Sequence, residues 1–273
     1  DHWFAWQPST TREEYCRRWN LDPARPIVFF LGSTQGIAAK EPEFVARWIA
    51  GIRASSHPAL AGANVLVRPY PKQADRWSAT AATFPSGPGT ALALGGAPVN
   101  ENSRSAFFDA LYHSRAVVGV NTSAQIEAGI VGRPVYTLLA PEFEETQLGT
   151  LHFHHLANVN GGLLIQAASV EEHLAQLAEA VATPLPTDVG RRFVEAFVRP
   201  FGLDQPGTPR LVAGIEALAD VRPDPLPTPG ARAARFLAAY MAWREAGPPR
   251  GWPHAAPSPP FGSGCTGGPV ATT

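Results

Sequence analysis

Three small polar residues end an apolar run near the middle of this 273-residue chain. The run covers residues 116–120, and the polar residues are Asn121, Thr122 and Ser123. A short amphipathic segment follows, so the turn is expected to open a helix at the carboxyl end of a strand. Unpaired main-chain amides and the helix dipole favour an anionic group at such a position. The turn therefore predicts a phosphate site.

The residues after the turn extend this prediction. Ser123 is the best candidate for the helix N-cap, with Gln125 and Ile126 supplying the free amides behind it. Glu127 comes four residues after Ser123, which places it one turn into the helix on the face that looks back toward the phosphate site. A carboxylate there can accept hydrogen bonds from both hydroxyls of a ribose. The alternative is a first-turn glutamate that only complements the helix dipole.

A second apolar run, residues 134–139, follows Gly132 and leads to Pro141 and a polar loop that ends at Gln147. Strand, helix, glycine stop and strand in this order predict a βαβ unit.

The order Asn-x-Ser, Glu-Ala, Gly-x-Pro-Val, Pro and Gln in this stretch resembles the donor-binding half of glycosyltransferases with two Rossmann domains, the GT-B architecture. The closer resemblance is to bacterial surface-polysaccharide enzymes, including relatives of CDP-glycerol glycerophosphotransferases and UDP-N-acetylglucosamine 2-epimerases. It extends over roughly residues 10–220 and is most specific in residues 119–147. In such enzymes the turn amides hold the donor diphosphate, a glutamate holds the ribose and a glutamine approaches the transferred sugar. By position, the resemblance implies these roles for Asn121, Thr122, Ser123, Glu127 and Gln147.

Two other predicted strands bring polar residues to the same edge of the sheet. The first leads into the loop 32–36, in which Ser33 or Thr34 is expected to face the ligand, although a tight βα turn explains the loop equally well. The second ends at Arg68, whose guanidinium can pair with a diphosphate or form a structural ion pair. The related enzymes commonly have Arg-x-His-Pro here, and Tyr70 replaces the histidine, which puts a histidine contact in doubt.

Residues 147–156 contain three histidines. On a strand His152 and His154 would share a face, a spacing compatible with zinc. No nearby Asp, Glu or Cys completes a ligand set, so we predict no metal site and no cofactor. His152 is instead expected to reach the donor phosphates, because it lies nearest to the loop that ends at Gln147.

Apolar runs alternate with amphipathic segments up to about residue 220. This alternation predicts an α/β fold, a Rossmann-like parallel sheet flanked by helices that would form one GT-B lobe. Residues 1–220 are predicted to be a nucleotide-sugar-binding domain. Residues 221–273 contain 11 Pro and 7 Gly, which predicts a low-complexity and mostly disordered tail with one helix over 231–246.

Composition limits the partners and the location. The net charge of −1 and the 16% of charged residues indicate no nucleic-acid partner. Cys16 and Cys265 lie at opposite ends of the chain, so a disulfide framework is not expected and a reducing cytoplasm fits. No apolar run reaches the ~18 residues of a membrane span. We expect a cytoplasmic protein, for which association with the inner face of the membrane stays open.

The resemblance implies a transferase, or the donor-binding half of one, that uses a nucleotide-activated sugar or a polyol phosphate such as CDP-glycerol in bacterial surface glycan synthesis. Its acceptor would be a glycan or a lipid-linked compound. The chain begins without Met, so we expect a fragment whose N-terminal acceptor lobe, with the general base, is missing. The sequence identifies no catalytic residue. The alternatives are a UDP-sugar 2-epimerase, for which no matching carboxylate set is visible, and a nucleotide-sugar-binding fragment without turnover.

Overall fold

The computed structural model describes residues 1–81, 84, 89–183, 190–219, 221, 230, 234–235, 237–238 and 240–241. In these residues six strands form one parallel sheet in the order β3-β2-β1-β4-β5-β6. The strands are β1 (Ile27–Leu31), β2 (Asn64–Arg68), β3 (Thr90–Leu92), β4 (Ala116–Gly119), β5 (Val135–Leu138) and β6 (Leu164–Ala167). This is the strand order of doubly wound dinucleotide folds, and the order reverses between β1 and β4. The predicted fold class, a Rossmann-like α/β sheet, is confirmed.

Helices cover both faces of the sheet. They are α1 (Arg12–Arg18), α2 (Glu41–Arg53), α3 (Pro58–Ala61), α4 (Ala74–Ala81), α5 (Glu101–Tyr112), α6 (Ala124–Ile130), α7 (Glu144–Gln147), α8 (Leu151–Asn158), α9 (Val170–Ala182), α10 (Arg191–Phe193) and α11 (Gly207–Ala219). Single 3₁₀ turns occupy His2–Phe4, Pro141–Phe143 and Val159–Gly161, and a π-helical turn occupies Val194–Val198. The sequence pattern does not predict α3, α4, α7 and α8.

The central strands are buried on both faces, as their continuous apolar runs predict. Side chains alternate between two cores along β1, since successive residues of a strand point to opposite faces. Phe30 packs with α2 residues such as Trp48 in one core, and Phe29 packs with α5 residues such as Leu111 in the other. Burial of each such side chain contributes about 1.5–3 kcal/mol. The two cores fix the strand ends that carry the polar residues.

Helix starts are set by local capping. Thr11 and Glu14 form a capping box at the start of α1, with the Thr11 main-chain N–H donating to the Glu14 carboxylate at 2.9 Å. Asn100 caps α5 by accepting a hydrogen bond from the Ser103 N–H at 2.9 Å. That cap explains why the helix begins at Glu101.

The chain divides into two compact units, Asp1–Ile215 and Glu216–Thr273. Of the predicted helix over 231–246, residues 234–235, 237–238 and 240–241 are helical, and its other positions lie outside the described residues, as does Cys265. Among the residues described, no helix is both long enough and apolar enough to cross a membrane.

Candidate functional site

A cavity of about 400 Å³ opens at the carboxyl ends of β1, β2 and β4. The loops after these strands form its walls, together with the loop after β3 and parts of α5 and α6. The sheet order reverses here, and doubly wound folds bind their ligands at such a point. The lining side chains that carry hydrogen-bonding or charged groups are Arg68, Tyr70, Lys72, Thr122, Ser123 and Glu127.

Arg68 lines the cavity from the end of β2, as predicted. Its Nη2 donates to the carbonyl oxygen of Gly96 at 2.7 Å, and its guanidinium lies 4.5 Å from the centre of the Phe107 ring. Burial lowers the pKa of Arg68, and the charges of Tyr15 and Glu127 oppose the shift. No carboxylate of the described residues lies within ion-pair distance of Arg68. A buried, charged guanidinium without an ion-pair partner favours an anion in the cavity.

Glu127 lines the same cavity from α6. Its Oε1 accepts a hydrogen bond from Nε1 of Trp3 at 3.0 Å, and its Oε2 has no hydrogen-bond partner among the described residues. Burial raises the pKa of Glu127, whereas the Trp3 hydrogen bond and the charge of Arg68 act in the opposite direction. The carboxylate therefore keeps one oxygen for a ligand, and it faces the cavity as the sequence predicts.

The turn between β4 and α6 is capped differently from the prediction. The buried side chain of Gln125 accepts a hydrogen bond from the Thr122 N–H at 3.0 Å and donates to the carbonyl oxygen of Gly119 at 3.2 Å. Ser123 has helical backbone angles and makes no capping bond through its side chain, so the predicted N-cap interaction is wrong. The main-chain amides of Gln125 and Ile126 donate to backbone carbonyl oxygens, so they are not the free amides expected.

The free amides of this turn lie earlier in the chain. The main-chain N–H groups of Ser123 and Ala124 have no hydrogen-bond partner among the described residues. Both residues line the cavity, together with Thr122. Two amide donors therefore remain where the phosphate site was predicted, two residues earlier than expected, because the Gln125 and Ile126 amides donate to the Thr122 and Ser123 carbonyl oxygens.

Ser33 and Thr34 do not line the cavity. Ser33 is fully buried, and its main-chain N–H donates to both carboxylate oxygens of Glu41, each at 2.9 Å. Burial raises the pKa of Glu41 to about 8 against the effect of these Ser33 contacts. The carbonyl oxygen of Thr34 accepts hydrogen bonds from the following turn. The structure thus places this pair in the support of the β1 loop, consistent with the tight βα turn that the sequence left open.

Gly32 is the residue of this loop that reaches the cavity. Its N–H donates to the carbonyl oxygen of Arg68 at 2.8 Å. A Cβ atom at Gly32 would lie 2.9 Å from the Cα of Pro69 and from the main-chain N of Tyr70. The close approach of the ends of β1 and β2 therefore requires glycine here.

Asn121 and His152 lie behind the turn rather than in the cavity wall. Asn121 is buried, and its Nδ2 donates to the Thr146 carbonyl oxygen at 2.6 Å and to the Thr150 hydroxyl oxygen at 3.0 Å. Burial lowers the pKa of His152, and a main-chain contact with Thr122 opposes the shift. Asn121 Oδ1 and His152 Nε2 are buried without a hydrogen-bond partner in the described part of the chain. Such atoms are stabilised when water or a ligand bonds to them.

The histidines of this segment are not on a strand. His152 lies in α8, which Thr150 caps by accepting a hydrogen bond from the Phe153 N–H. Residues two apart on a helix point to different sides, so the spacing compatible with zinc does not apply. The described residues contain no group of His, Cys, Asp and Glu that could hold a metal ion.

Gln147 is buried beside the ends of β4 and β5. Its Nε2 donates to the carbonyl oxygens of Val120 and Leu138 and to the hydroxyl of Thr137, at 3.0–3.2 Å. Its Oε1 accepts a hydrogen bond from the Ala140 N–H. A direct contact between this amide and a ligand would require these internal bonds to break. The structure does not bring Gln147 into the cavity.

Several residues of the site are absent from the sequence-based set. Trp3 comes from the N-terminal segment, 124 positions before Glu127, and Phe107 comes from the middle of α5. No local pattern connects residues so far apart along the chain. Lys72 follows Arg68 closely and is one of two lysines in the sequence, so its position after a strand end was an available signal.

Comparisons with known proteins concern the fold. No protein-family model and no curated protein matches the chain. WaaG, a glycosyltransferase involved in lipopolysaccharide biosynthesis, has a similar structure, with 16% identity and a TM-score of 0.46 over 78% of this chain and 52% of that one. The wall teichoic acid polymerase TagF has 11% identity and a TM-score of 0.43 over 75% of this chain and 45% of its own.

UDP-GlcNAc 2-epimerase from Methanocaldococcus jannaschii is also similar, with 14% identity and a TM-score of 0.38 over 68% of this chain and 49% of its own. This chain therefore spans about half the length of each of the three. The sequence resembles polysaccharide glycosyltransferases and UDP-GlcNAc 2-epimerases, and the similar structures include proteins of both classes. At these identities and TM-scores the similarity carries no information about the reaction or the ligand of this chain.

Proposed function

We propose that this chain is the donor-binding part of a glycosyltransferase-type enzyme. Its cavity would bind the diphosphate and the ribose of a nucleotide-activated sugar, or of a polyol phosphate such as CDP-glycerol. The proposal rests on one observation, which is that Arg68 and Glu127 line the same cavity at the point where the strand order reverses. Arg68 has no ion-pair partner in the described chain, and one carboxylate oxygen of Glu127 has no hydrogen-bond partner there.

The diphosphate would lie between Arg68 and the start of α6. The main-chain N–H groups of Ser123 and Ala124 supply two hydrogen-bond donors, and the exposed Lys72 stands at the wall of the same cavity. A guanidinium and backbone amides stabilise negative charge without reorganisation. The same groups would therefore stabilise the diphosphate as it leaves the transferred group, so positioning and charge account for the proposed catalysis.

The ribose would lie against Glu127, whose Oε2 is available while Trp3 holds Oε1. Asn121 and His152 pack beneath the turn between β4 and α6. Asn121 Oδ1 and His152 Nε2 are buried without a partner in the described chain, so a water molecule could connect them to the ligand. Gln147 and Ser33 make hydrogen bonds inside the protein that fix the ends of the strands, so neither is expected to contact the ligand.

An epimerase would need acids and bases around the sugar. Glu127 is the one carboxylate among the residues that line the cavity, and all of these belong to the described part of the chain. The cavity therefore favours donor binding over an elimination and addition at the sugar ring.

The proposal includes a separate lobe that binds the acceptor and acts together with this chain. The helix α11 exposes apolar side chains one turn apart, with Leu211 and Ile215 each about 60% exposed or more. Such side chains suit a helix that packs on another body. We expect the chain alone to bind a donor and to lack transfer.

The test is calorimetric titration of the full chain with UDP, CDP, GDP and ADP, followed by Glu127→Gln with the nucleotide that binds best. Loss of a charged hydrogen bond to a hydroxyl should weaken binding about tenfold or more. The same variant should bind inorganic pyrophosphate as tightly as the parent, because that probe has no ribose. Arg68→Gln should weaken both ligands.

Glu43→Gln serves as the matched control, because Glu43 is an exposed carboxylate of α2 outside the cavity. Equal nucleotide affinities of the Glu127→Gln variant and of this control would refute the ribose assignment. Release of free sugar from the donor by the chain alone would show catalysis without an acceptor lobe, whereas binding without release is the expected result.

A further inference from the structure

A second cavity, of about 1000 Å³, lies at the opposite edge of the sheet, where the strands begin. Its wall includes the start of α1 and the residues that lead into β1, β4 and β5. Four arginines reach it from these separate segments, namely Arg12, Arg25, Arg115 and Arg133. Glu14 is the one carboxylate among the lining residues, all of which the structure describes. We call this cavity the basic groove.

Carboxylates neutralise only one of the four arginines. Nε of Arg25 pairs with Asp22 at 3.0 Å, and no ion pair joins the other three to an acid among the described residues. Glu14 accepts hydrogen bonds from the main-chain N–H and the hydroxyl of Thr11, at 2.9 and 3.0 Å. It is committed to the cap of α1. Glu14 keeps its negative charge, because the Thr11 donors are neutral, but three arginines of the groove still have no ion-pair partner among the described residues.

Arg12 is fixed in place without a counter-charge. Its Nε, Nη1 and Nη2 donate to the carbonyl oxygens of Pro23, His113 and Arg25, at 2.9, 2.7 and 2.5 Å. Neutral carbonyl groups orient the guanidinium and leave its charge in place. A rigid, half-buried arginine loses little conformational entropy when an anion binds to it.

Arg133 and Arg115 keep donors for a ligand. Nη1 of Arg133 donates to the Ser114 carbonyl oxygen at 3.3 Å, and its guanidinium lies 5.4 Å from the centre of the Tyr112 ring. Its Nε is buried without a partner in the described chain. The side chain of Arg115 is exposed and makes no hydrogen bond or ion pair with a described residue. Burial lowers the pKa of Arg133, and the charge of Arg115 lowers it further. An anion that contacts both guanidinium groups would therefore relieve the repulsion between them.

We propose that the basic groove is a second ligand site, for a compound that carries at least two linked phosphate groups. Several guanidinium forks from separate segments match the many oxygens and the multiple charge of a diphosphate better than they match a single carboxylate. The volume of the groove exceeds that of one phosphate group. The proposal is independent of donor binding at the other edge of the sheet, because the two cavities share no lining residue.

The experiment is calorimetric titration of inorganic pyrophosphate into the full chain carrying Arg68→Gln, which removes the guanidinium of the first cavity. Binding should remain in this background, and addition of Arg115→Gln should weaken it about tenfold. Arg115 is exposed and has no internal bond, so its replacement should leave the fold intact. Arg133→Lys, which keeps the charge and removes the fork, should also weaken binding.

Arg18→Gln is the matched control, because Arg18 is an exposed arginine of α1 outside the basic groove. The proposal is overturned if pyrophosphate does not bind in the Arg68→Gln background, or if Arg115→Gln binds it as tightly as Arg18→Gln does. Sedimentation with vesicles of phosphatidylcholine and cardiolipin, a lipid whose headgroup carries two phosphate groups joined by glycerol, separates two sources of the ligand. Pelleting that requires Arg115 indicates a lipid headgroup, pyrophosphate binding without pelleting indicates a free phosphate compound, and either result supports the site.

Discussion

Glu41 and Glu127 are both carboxylates removed from bulk water, and their contacts give them different tasks. Glu127 keeps an oxygen for the cavity, whereas both oxygens of Glu41 accept the single N–H of Ser33. Burial raises the pKa of both groups, to about 8 for Glu41. Glu41 therefore supports the β1 loop through its contacts with Ser33, and whether its carboxyl group is protonated affects the stability of the fold.

We predict that the parent protein loses stability at alkaline pH because Glu41 ionises, and that the Glu41→Gln variant does not show this loss. In the unfolded chain Glu41 titrates near its ordinary value of 4.5, and in the fold it titrates at about 8. The contribution of its protonated form is complete below pH 4.5 and is lost as the pH rises through 8. Because glutamine stays neutral and can still accept the Ser33 N–H, the variant should be more stable than the parent at pH 9, by about 2–4 kcal/mol.

Thermal unfolding at pH 5 and pH 9 measures this effect. Parent and variant should melt at similar temperatures at the lower pH and diverge at the higher one. Glu43→Gln, an exposed change on the same helix, should follow the parent at both. Parallel pH profiles for Glu41→Gln and the parent would contradict a raised pKa at Glu41.

Whole elements are held together by a few buried polar contacts. Asp109 of α5 is 1% exposed, and it accepts hydrogen bonds from the Ser9 N–H, the Ser9 hydroxyl and the Thr10 hydroxyl at 2.7–2.8 Å. These bonds attach the N-terminal segment to α5. The same segment carries Trp3, which holds Glu127 at the cavity.

We predict that Asp109→Asn lowers the free energy of unfolding by about 2–3 kcal/mol, because one carboxylate oxygen becomes a donor that faces hydroxyl and amide donors. Urea denaturation followed by circular dichroism measures the change. Glu195→Gln is the control, since it breaks an ion pair with Arg191 whose side chains are 42% and 61% exposed, and it should cost less than 1 kcal/mol. A similar cost for both variants would mean that Asp109 does not anchor the segment.

The elements themselves could be predicted where one local signal decides. The buried runs that become β1, β2 and β4 are continuous, and Thr11 with Glu14 marks a helix start within four residues. The cap of α8 at Thr150 is equally local. A prediction that used this cap would place His152 and His154 on a helix rather than on a strand.

The details of the site could not be predicted in the same way. The side chain of Gln125 takes the role expected of Ser123 because it can fold back to the Thr122 amide, and competition between two caps is decided by packing. Ser33 turns inward because a carboxylate eight positions later is buried beneath it. Contacts such as that of Trp3 with Glu127 join distant segments, and they follow from the fold rather than from any spacing.

At the scale of the whole molecule, the first compact unit contains both cavities and both cores. The two cavities lie at opposite ends of the strands of one sheet, and each has at least one arginine that lacks an acidic partner among the described residues. The polar chemistry of the described chain is thus concentrated at the strand ends, where loops can present it without disturbing the cores.

We predict that removal of residues 223–273 changes the melting temperature by about 2 °C or less. The described residues 230, 234–235, 237–238 and 240–241 are exposed, and the composition of the segment favours an extension that buries little apolar surface. Differential scanning calorimetry of the full and the shortened chain measures the difference. A deeper truncation that removes residues 207–273 should lower the melting temperature much more, because the carboxylate of Asp1 accepts hydrogen bonds from the N–H groups of Gly207 and Thr208. If the shorter truncation alone lowered the melting temperature by as much as the deeper one, the segment would contribute buried apolar contacts that its composition does not predict.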